Sequence, residues 1–366
     1  MRHQISNRHR AMYGVTLVLP SFAGGGAERV ALSLLASVSR EAAAVTVLDG
    51  RGPLRPLGPK GVQVHDLCRP RLRQAWSPLL RWLRSSRPSV VLSTFGHINL
   101  ALLAMRPLLP PGTRLVIREA NTPSLSLKPG RVPAPVIMRL AYRLLYPTAD
   151  LVLCQHRAVA EEMTACFGVA AERVVVLPNP VDSARLRALS LCREPGPGRR
   201  FVAAGRLTHQ KGFDRLITLF ASVGADDRLC VFGDGPDRAM LEDHARACGV
   251  ADRIRFAGFQ QAPWPFFAGA DAVLVPSRWE GLPNVALEAL ACGAPVIATS
   301  ESGGIAEVAA AAPVGAVTVA AWGDDFRNAL MEVVRSPVDK IRPSLLPEHY
   351  ERDRVVERFK ALVGLS

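Results

Sequence analysis

The stretch at 270–308, ADAVLVPSRWEGLPNVALEALACGAPVIATSESGGIAEV, constrains this chain more than any other. An apolar run at 270–276 reads as a buried strand and another at 295–299 as a second one. The segment 283–292 between them reads as a helix, with proline in its first turn and Gly293 after its end. A strand, a helix and a strand in succession belong in a parallel sheet covered by helices. The helix mouth, Gly281-Leu282-Pro283-Asn284, offers backbone N–H groups and the positive end of a helix dipole to an anion, most naturally a phosphate or diphosphate. Pro283 donates nothing, which leaves Gly281, Leu282 and Asn284.

The same alternation runs along the whole chain. Strand-like runs fall at 13–19, 44–48, 62–67, 90–94, 115–117, 151–154 and 174–177, and again at 201–206, 228–232 and 254–257. With 366 residues, nearly half of them apolar, the chain fits two doubly wound domains better than one core. The segment Leu177-Pro-Asn-Pro-Val-Asp182 precedes an Arg-rich, then Pro/Gly-rich linker composition, which places the division at 1–182 and 183–366. A hinge there would let a cleft close on substrate. The segment 302–308 is expected to complete the second sheet's edge, and 348–365 reads as an amphipathic helix.

Charge is distributed unevenly. Residues 1–190 hold 25 Lys or Arg against 10 Asp or Glu, and the remainder 20 against 22. The first half therefore suits an anionic partner: a phospholipid surface or a lipid-linked diphosphate rather than nucleic acid, since its basic runs lack interleaved aromatics. One basic stretch, 69–87, does carry Trp76 and Trp82; it suits a membrane interface or a lipid carrier's phosphates, or else a solvated helix with its tryptophans turned inward. The seven cysteines show neither C-x-x-C nor metal-ligand spacing with histidine, so free thiols in a reducing compartment are expected. No run of apolar residues is long enough to span a bilayer, and the basic start reads as a tail rather than an export signal. A cytoplasmic protein, touching the inner face of the membrane, fits these features.

Two glutamates flank the helix mouth. Glu288 sits among Leu287, Ala289, Leu290 and Ala291, so it needs donors in reach, either sugar hydroxyls or a neighbouring arginine; Glu280 either holds further hydroxyls or caps the helix. Arg206 at a strand end and Lys211 five residues on can converge on one anion, with Gly212 keeping the approach open. Gly24-Gly25-Gly26 follows the first strand and opens a helix, but Arg29 stands where a dinucleotide fingerprint needs its third glycine.

The run from Glu280 to Glu288, with Gly-Leu-Pro-Asn inside it and Ala-Cys-Gly-Ala-Pro-Val-Ile-Ala-Thr after it, closely resembles the Glu-x7-Glu motif of retaining family 4 glycosyltransferases. That resemblance implies the GT-B fold, two Rossmann-like domains facing a cleft, with a nucleoside diphosphate sugar held by the second. It implies that Arg206 and Lys211 neutralise the diphosphate, Glu280 orients the sugar and Glu288 holds the ribose. Gly25 and Gly26 look like the family's glycine loop near the diphosphate. Gly233 and the backbone at Gly258-Phe259 correspond to its nucleotide contacts, with Phe259 either on the base or in the core. No cofactor or metal is expected, because basic side chains stand where the diphosphate's charge must be met.

The chain departs from the family where a histidine often follows the strand near Ile117; here Arg118, Glu119 and Asn121 follow it. Glu119 is the substitute candidate for handling the acceptor hydroxyl's proton, and His97 is either a proton or phosphate partner near the cleft or a surface hydrogen bonder. The expected reaction moves a sugar, with retention, to a glycan or lipid-linked acceptor in envelope or exopolysaccharide synthesis. An epimerase of related architecture and a non-catalytic sugar-nucleotide or lipid-phosphate binder remain alternatives.

Overall fold

The computed structural model describes residues 14–23, 25–39, 42–52, 54–55, 61–128, 130, 134–189, 196–337 and 340–365. Seven strands form the first sheet: β1 (Val15–Ser21), β2 (Ala43–Asp49), β3 (Gln63–Asp66), β4 (Val90–Ser93), β5 (Arg114–Glu119), β6 (Leu151–Cys154) and β7 (Val174–Val176). Six form the second: β8 (Arg200–Ala204), β9 (Arg228–Phe232), β10 (Ile254–Gly258), β11 (Ala272–Val275), β12 (Val296–Thr299) and β13 (Val317–Ala320). Their orders are β3-β2-β1-β4-β5-β6-β7 and β10-β9-β8-β11-β12-β13, and the strand pairs are parallel. In both sheets the chain winds outward one way, returns past its starting strand and winds out the other way. That reversal opens a crevice at the carboxyl ends of β1 and β4, and of β8 and β11.

The apolar runs explain the layers. Val15, Leu17 and Leu19 of β1 face one core and Val18 the other, so helices cover both faces. In the second sheet Val273 pairs with Val202 and Val296, while the helix Asn284–Ala291 buries Ala286, Leu287, Ala289 and Leu290 against it.

The chain passes between the domains twice. Val181 and Leu186 pack in a core of the second domain, whereas the last helix, Arg352–Val363, returns Val355, Phe359 and Val363 to a core of the first. The crossings lie side by side: Val181 N–H donates to Tyr350 O at 2.9 Å and Arg352 N–H to Val181 O at 2.8 Å.

Two expectations need correction. The second sheet's edge is completed by β13, not by 302–308; the short Val-Thr-Val-Ala run lies beside an alanine-rich helix that hid its strand signal. Pro283 precedes the helix Asn284–Ala291 instead of sitting in its first turn. The two tryptophans of the basic helix Leu72–Ser86 divide between the two readings: Trp82 turns inward and stacks on His65 with ring centroids 3.8 Å apart, and Trp76 stays exposed. Among the described residues no helix is long and apolar enough to cross a membrane.

Candidate active site

A cavity of about 1180 Å³ lies between the carboxyl ends of the two sheets. From the second domain Gly205, Arg206, Lys211, Gly233, Phe259, Glu280, Gly281, Leu282, Asn284 and Glu288 reach its wall; Gly25, Gly26 and Glu119 do so from the first. Residues far apart in sequence thus meet because each follows a strand end.

The starts of two helices meet at its wall. A Cβ on Gly26, the first residue of the helix Gly26–Leu35, would lie 2.6 Å from Asn284 Nδ2. A Cβ on Gly25 would lie 2.3 Å from Glu28 Oε2, so a side chain at either position would displace the end of Glu28 or Asn284. Each helix start places the positive end of its dipole at the cavity wall, although the Glu28 N–H is engaged by its own carboxylate and the Ala286 N–H by Pro283 O.

The two basic residues behave differently. Arg206 is exposed to the cavity and makes no ion pair among the described residues. Nearby, burial raises the Glu28 carboxyl pKa, and its own backbone N–H and the Arg206 charge only partly oppose the rise. Lys211, in the turn His209–Lys211, pairs its Nζ with Glu280 Oε1, which also accepts from Ser277 Oγ at 2.8 Å. Glu280 is therefore neither a helix cap nor free; it is a buried carboxylate fixed by a cation and a hydroxyl. Glu288 is half-buried, and its Oε2 accepts from Trp264 Nε1 at 3.0 Å. Burial raises its pKa, while Arg29 at longer range and the indole oppose the rise. Among the described residues Oε1 of Glu288 takes no hydrogen bond, which leaves it for a ligand hydroxyl.

Gly233 has φ +133°, and a Cβ there would fall 1.9 Å from Gly205 O, so the two strand-end loops touch backbone to backbone. Phe259 stands at the rim with 45% of its surface exposed, ready to cover a flat ring rather than fill a core. Gly258 does not reach the cavity wall; its carbonyl accepts from Gly233 N–H at 2.8 Å and supports that turn from behind. His97 also stays outside: it is exposed in the first turn of the helix Gly96–Met105, whose entry presents Phe95 and Gly96 to the cavity instead.

Glu119 lies at the end of β5, buried, with Oε2 accepting from Tyr146 Oη at 2.6 Å and Tyr142 Oη at 3.3 Å. Burial pushes its pKa up to about 7, against the pull of the two hydroxyls and the Asn121 N–H. Beside it, Arg118 is fully buried; desolvation lowers its pKa to about 10, so it stays charged at neutral pH. Arg118 Nη2 donates to Asn179 Oδ1, and Asn179 Nδ2 donates to Asn284 Oδ1 and, at 3.3 Å, to Leu282 O. One asparagine of the interdomain segment thereby ties the first sheet to the second domain's helix mouth. Asn179→Ala would strip a buried guanidinium of its carbonyl partner and is expected to cost about 3 kcal/mol in urea unfolding.

Sequence reasoning missed Asn179, Trp264 and the tyrosine pair. Trp264 between Pro263 and Pro265 offered the only local signal, an aromatic residue held in a stiff turn. The segment 302–308 acts from behind the wall: Gly304 N–H donates to Gly281 O at 2.7 Å, and Glu307 Oε2 accepts the Arg157 N–H at 2.9 Å across the domain boundary. Gly303 has φ +62° and a Cβ there would lie 2.2 Å from Gly281 O. Gly303→Ala is therefore expected to lower the thermal midpoint by several degrees and weaken ligand binding together.

A doubly wound pair of domains with an anion-ready cleft between them defines the GT-B class. Solved structures agree in fold: the lipopolysaccharide outer core galactosyltransferase WaaB superposes with TM-score 0.69 at 20% identity, covering 96% of this chain and 99% of that one. HepE from Anabaena, in complex with UDP-glucose, superposes with TM-score 0.74 at 17% identity, covering 96% and 99%. The family model for Glycosyltransferase Family 4 matches residues 24–185, and that for Glycosyl transferases group 1 matches 193–345. The chain belongs to glycosyltransferase family 4.

Among curated relatives, the N-acetylgalactosamine-N,N'-diacetylbacillosaminyl-diphospho-undecaprenol 4-alpha-N-acetylgalactosaminyltransferase of Campylobacter jejuni is 26% identical over 60% of this chain and 57% of its own. The lipopolysaccharide core biosynthesis glycosyltransferase LpsE of Rhizobium meliloti is 32% identical over 45% and 47%. The match thus spans less than two thirds of either relative.

Proposed function

We propose that this protein transfers a glycosyl group from a nucleoside diphosphate sugar, with retention at the anomeric carbon, to a glycan or lipid-linked acceptor of envelope or exopolysaccharide synthesis. The observation that carries the proposal is the convergence of Arg206, Lys211 and two helix mouths on one cavity. In the transfer, the bond from the anomeric carbon to the diphosphate breaks and the diphosphate leaves with the electron pair. The acceptor oxygen forms the new bond on the same face.

The protein's main contribution is to stabilise charge growing on the leaving oxygens. Arg206, Lys211 and the N–H groups at Gly26 and Asn284 supply that stabilisation, so the reading invokes no metal or cofactor. Glu288 with its unoccupied Oε1 suits ribose hydroxyls, Phe259 the base, and Glu280 the sugar. Glu119, whose pKa of about 7 matches a proton transfer near neutrality, takes the acceptor hydroxyl's proton. The printed name of the Campylobacter relative includes a diphospho-undecaprenol acceptor, which together with the basic first half supports a lipid-linked acceptor met at the cytoplasmic face of a membrane.

The test is turnover. UDP-, GDP- and ADP-sugars are incubated with undecaprenyl diphosphate-linked saccharides, and the product's anomeric coupling is read by NMR. A product with the donor's configuration supports the reading. An inverted product removes the retaining mechanism, and conversion of donor to an epimer without any acceptor removes the transfer itself.

A further inference from the structure

The helix Pro135–Leu145 has two faces of opposite character. Its inner face sends Tyr142 onto Glu119 and stacks it on Tyr146, with ring centroids 4.3 Å apart. Its outer face leaves Val136, Ile137, Leu140 and Leu144 with 77, 67, 55 and 64% of their surface in water. Spaced i, i+1, i+4 and i+8, these four form a continuous aliphatic stripe more than two turns long. Isolated exposed hydrophobic residues are ordinary, but a contiguous patch marks a contact surface.

Charge identifies the partner. Arg139 and Arg143, four residues apart and both exposed, run along one edge of the stripe. From 120 to 149 the sequence contains Lys128, Arg131, Arg139 and Arg143 and no Asp or Glu. On the helix packed alongside, the Glu162 carboxylate is engaged by the Ser124 N–H and, at 3.2 Å, by its hydroxyl, and it also lies in the field of Arg139.

We propose that this stripe seats the protein on an anionic phospholipid leaflet, with the four aliphatic side chains in the acyl boundary and the two arginines at the headgroup phosphates. An apolar face alone would serve a second copy of the chain equally well; aliphatic side chains edged by arginines are what an anionic leaflet selects. This deepens the lipid-side part of the proposed function by naming the surface. Because the inner face of the same helix holds Glu119, the acceptor side of the cavity then lies next to the bilayer, where a lipid-linked saccharide presents its sugar.

The experiment is co-sedimentation of the full-length protein with vesicles of phosphatidylcholine, alone or mixed equally with phosphatidylglycerol. Binding is expected to favour the anionic vesicles. Ile137→Glu with Leu140→Glu is expected to lower the partition coefficient at least tenfold, and Arg139→Ala with Arg143→Ala to remove roughly tenfold from the anionic vesicles only. Ile137, Leu140 and Arg139 are exposed, and Arg143, also exposed, donates only from Nε to Cys166 O at 3.1 Å, so nucleotide binding by calorimetry should be unchanged, which separates this surface from the donor site. Undiminished partition of the double-glutamate variant would overturn the proposal. So would equal binding to neutral vesicles, or a dimer in sedimentation velocity that the same substitutions dissolve.

Discussion

Lys211→Ala is expected to lower kcat/KM for sugar transfer by roughly a hundred- to a thousandfold, the range found when one donor to a developing oxyanion is removed. Lys211 carries this because its Nζ is fixed rather than floating: Glu280 Oε1 holds it, and Ser277 holds the same oxygen. A preorganised cation stabilises the departing diphosphate without having to reorient when charge develops. The substitution also leaves Glu280 buried without its counter-ion. Glu280→Gln should therefore be damaging by itself, and Lys211→Ala combined with Glu280→Gln should fall well short of the product of the two single losses. A fully multiplicative result would mean that the pair does not work as a unit.

Glu119→Gln is expected to cost about a hundred- to ten-thousandfold in kcat, the usual range for loss of a general base. Its second signature is the pH profile. Burial raises the Glu119 pKa from 4.5 to about 7, so the folded protein keeps this carboxyl protonated at pH values where the unfolded chain has released the proton. The contribution to stability is complete below the ordinary carboxylate value and is lost as pH rises through about 7. Over the same window the ionised form that catalysis needs appears. Wild-type turnover should therefore climb through neutrality while stability declines, and Glu119→Gln should flatten both slopes. A variant that retains the acidic limb would assign it to another group.

Much of this was legible in the sequence because it lies in local chemistry. Apolar runs bounded by glycine and proline located twelve of the thirteen strands, and the residues just after those runs, Arg206, Lys211 and Glu280 to Asn284, are the ones the fold brings to the cavity. What stayed hidden depends on neighbours distant in sequence. Nothing near Lys211 announces that Glu280, sixty-nine residues away, will hold it. Glu119 could be suspected from its place after a strand, but its raised pKa comes from burial in the folded core, which outweighs the downward pull of the Tyr146 and Tyr142 hydroxyls. His97 follows a strand and so was a candidate, but in the fold it is exposed in the helix's first turn while Phe95 and Gly96 reach the cavity. Asn179 looked like ordinary loop chemistry between two prolines; only the folded chain shows it joining Arg118 to Asn284.

The central claim is that a diphosphate is gripped between the basic side chains of the second domain and the two helix mouths. The most direct measurement is calorimetric titration of UDP, GDP and ADP, and of the corresponding nucleosides, into wild type and Arg206→Ala. Arg206 is exposed and makes no ion pair among the described residues, so the substitution should leave the fold intact. The account predicts that one nucleoside diphosphate binds, that Arg206→Ala weakens it at least tenfold, about 1.4 kcal/mol, and that the bare nucleoside does not distinguish the two proteins. Equal affinity of that diphosphate for wild type and Arg206→Ala would contradict it.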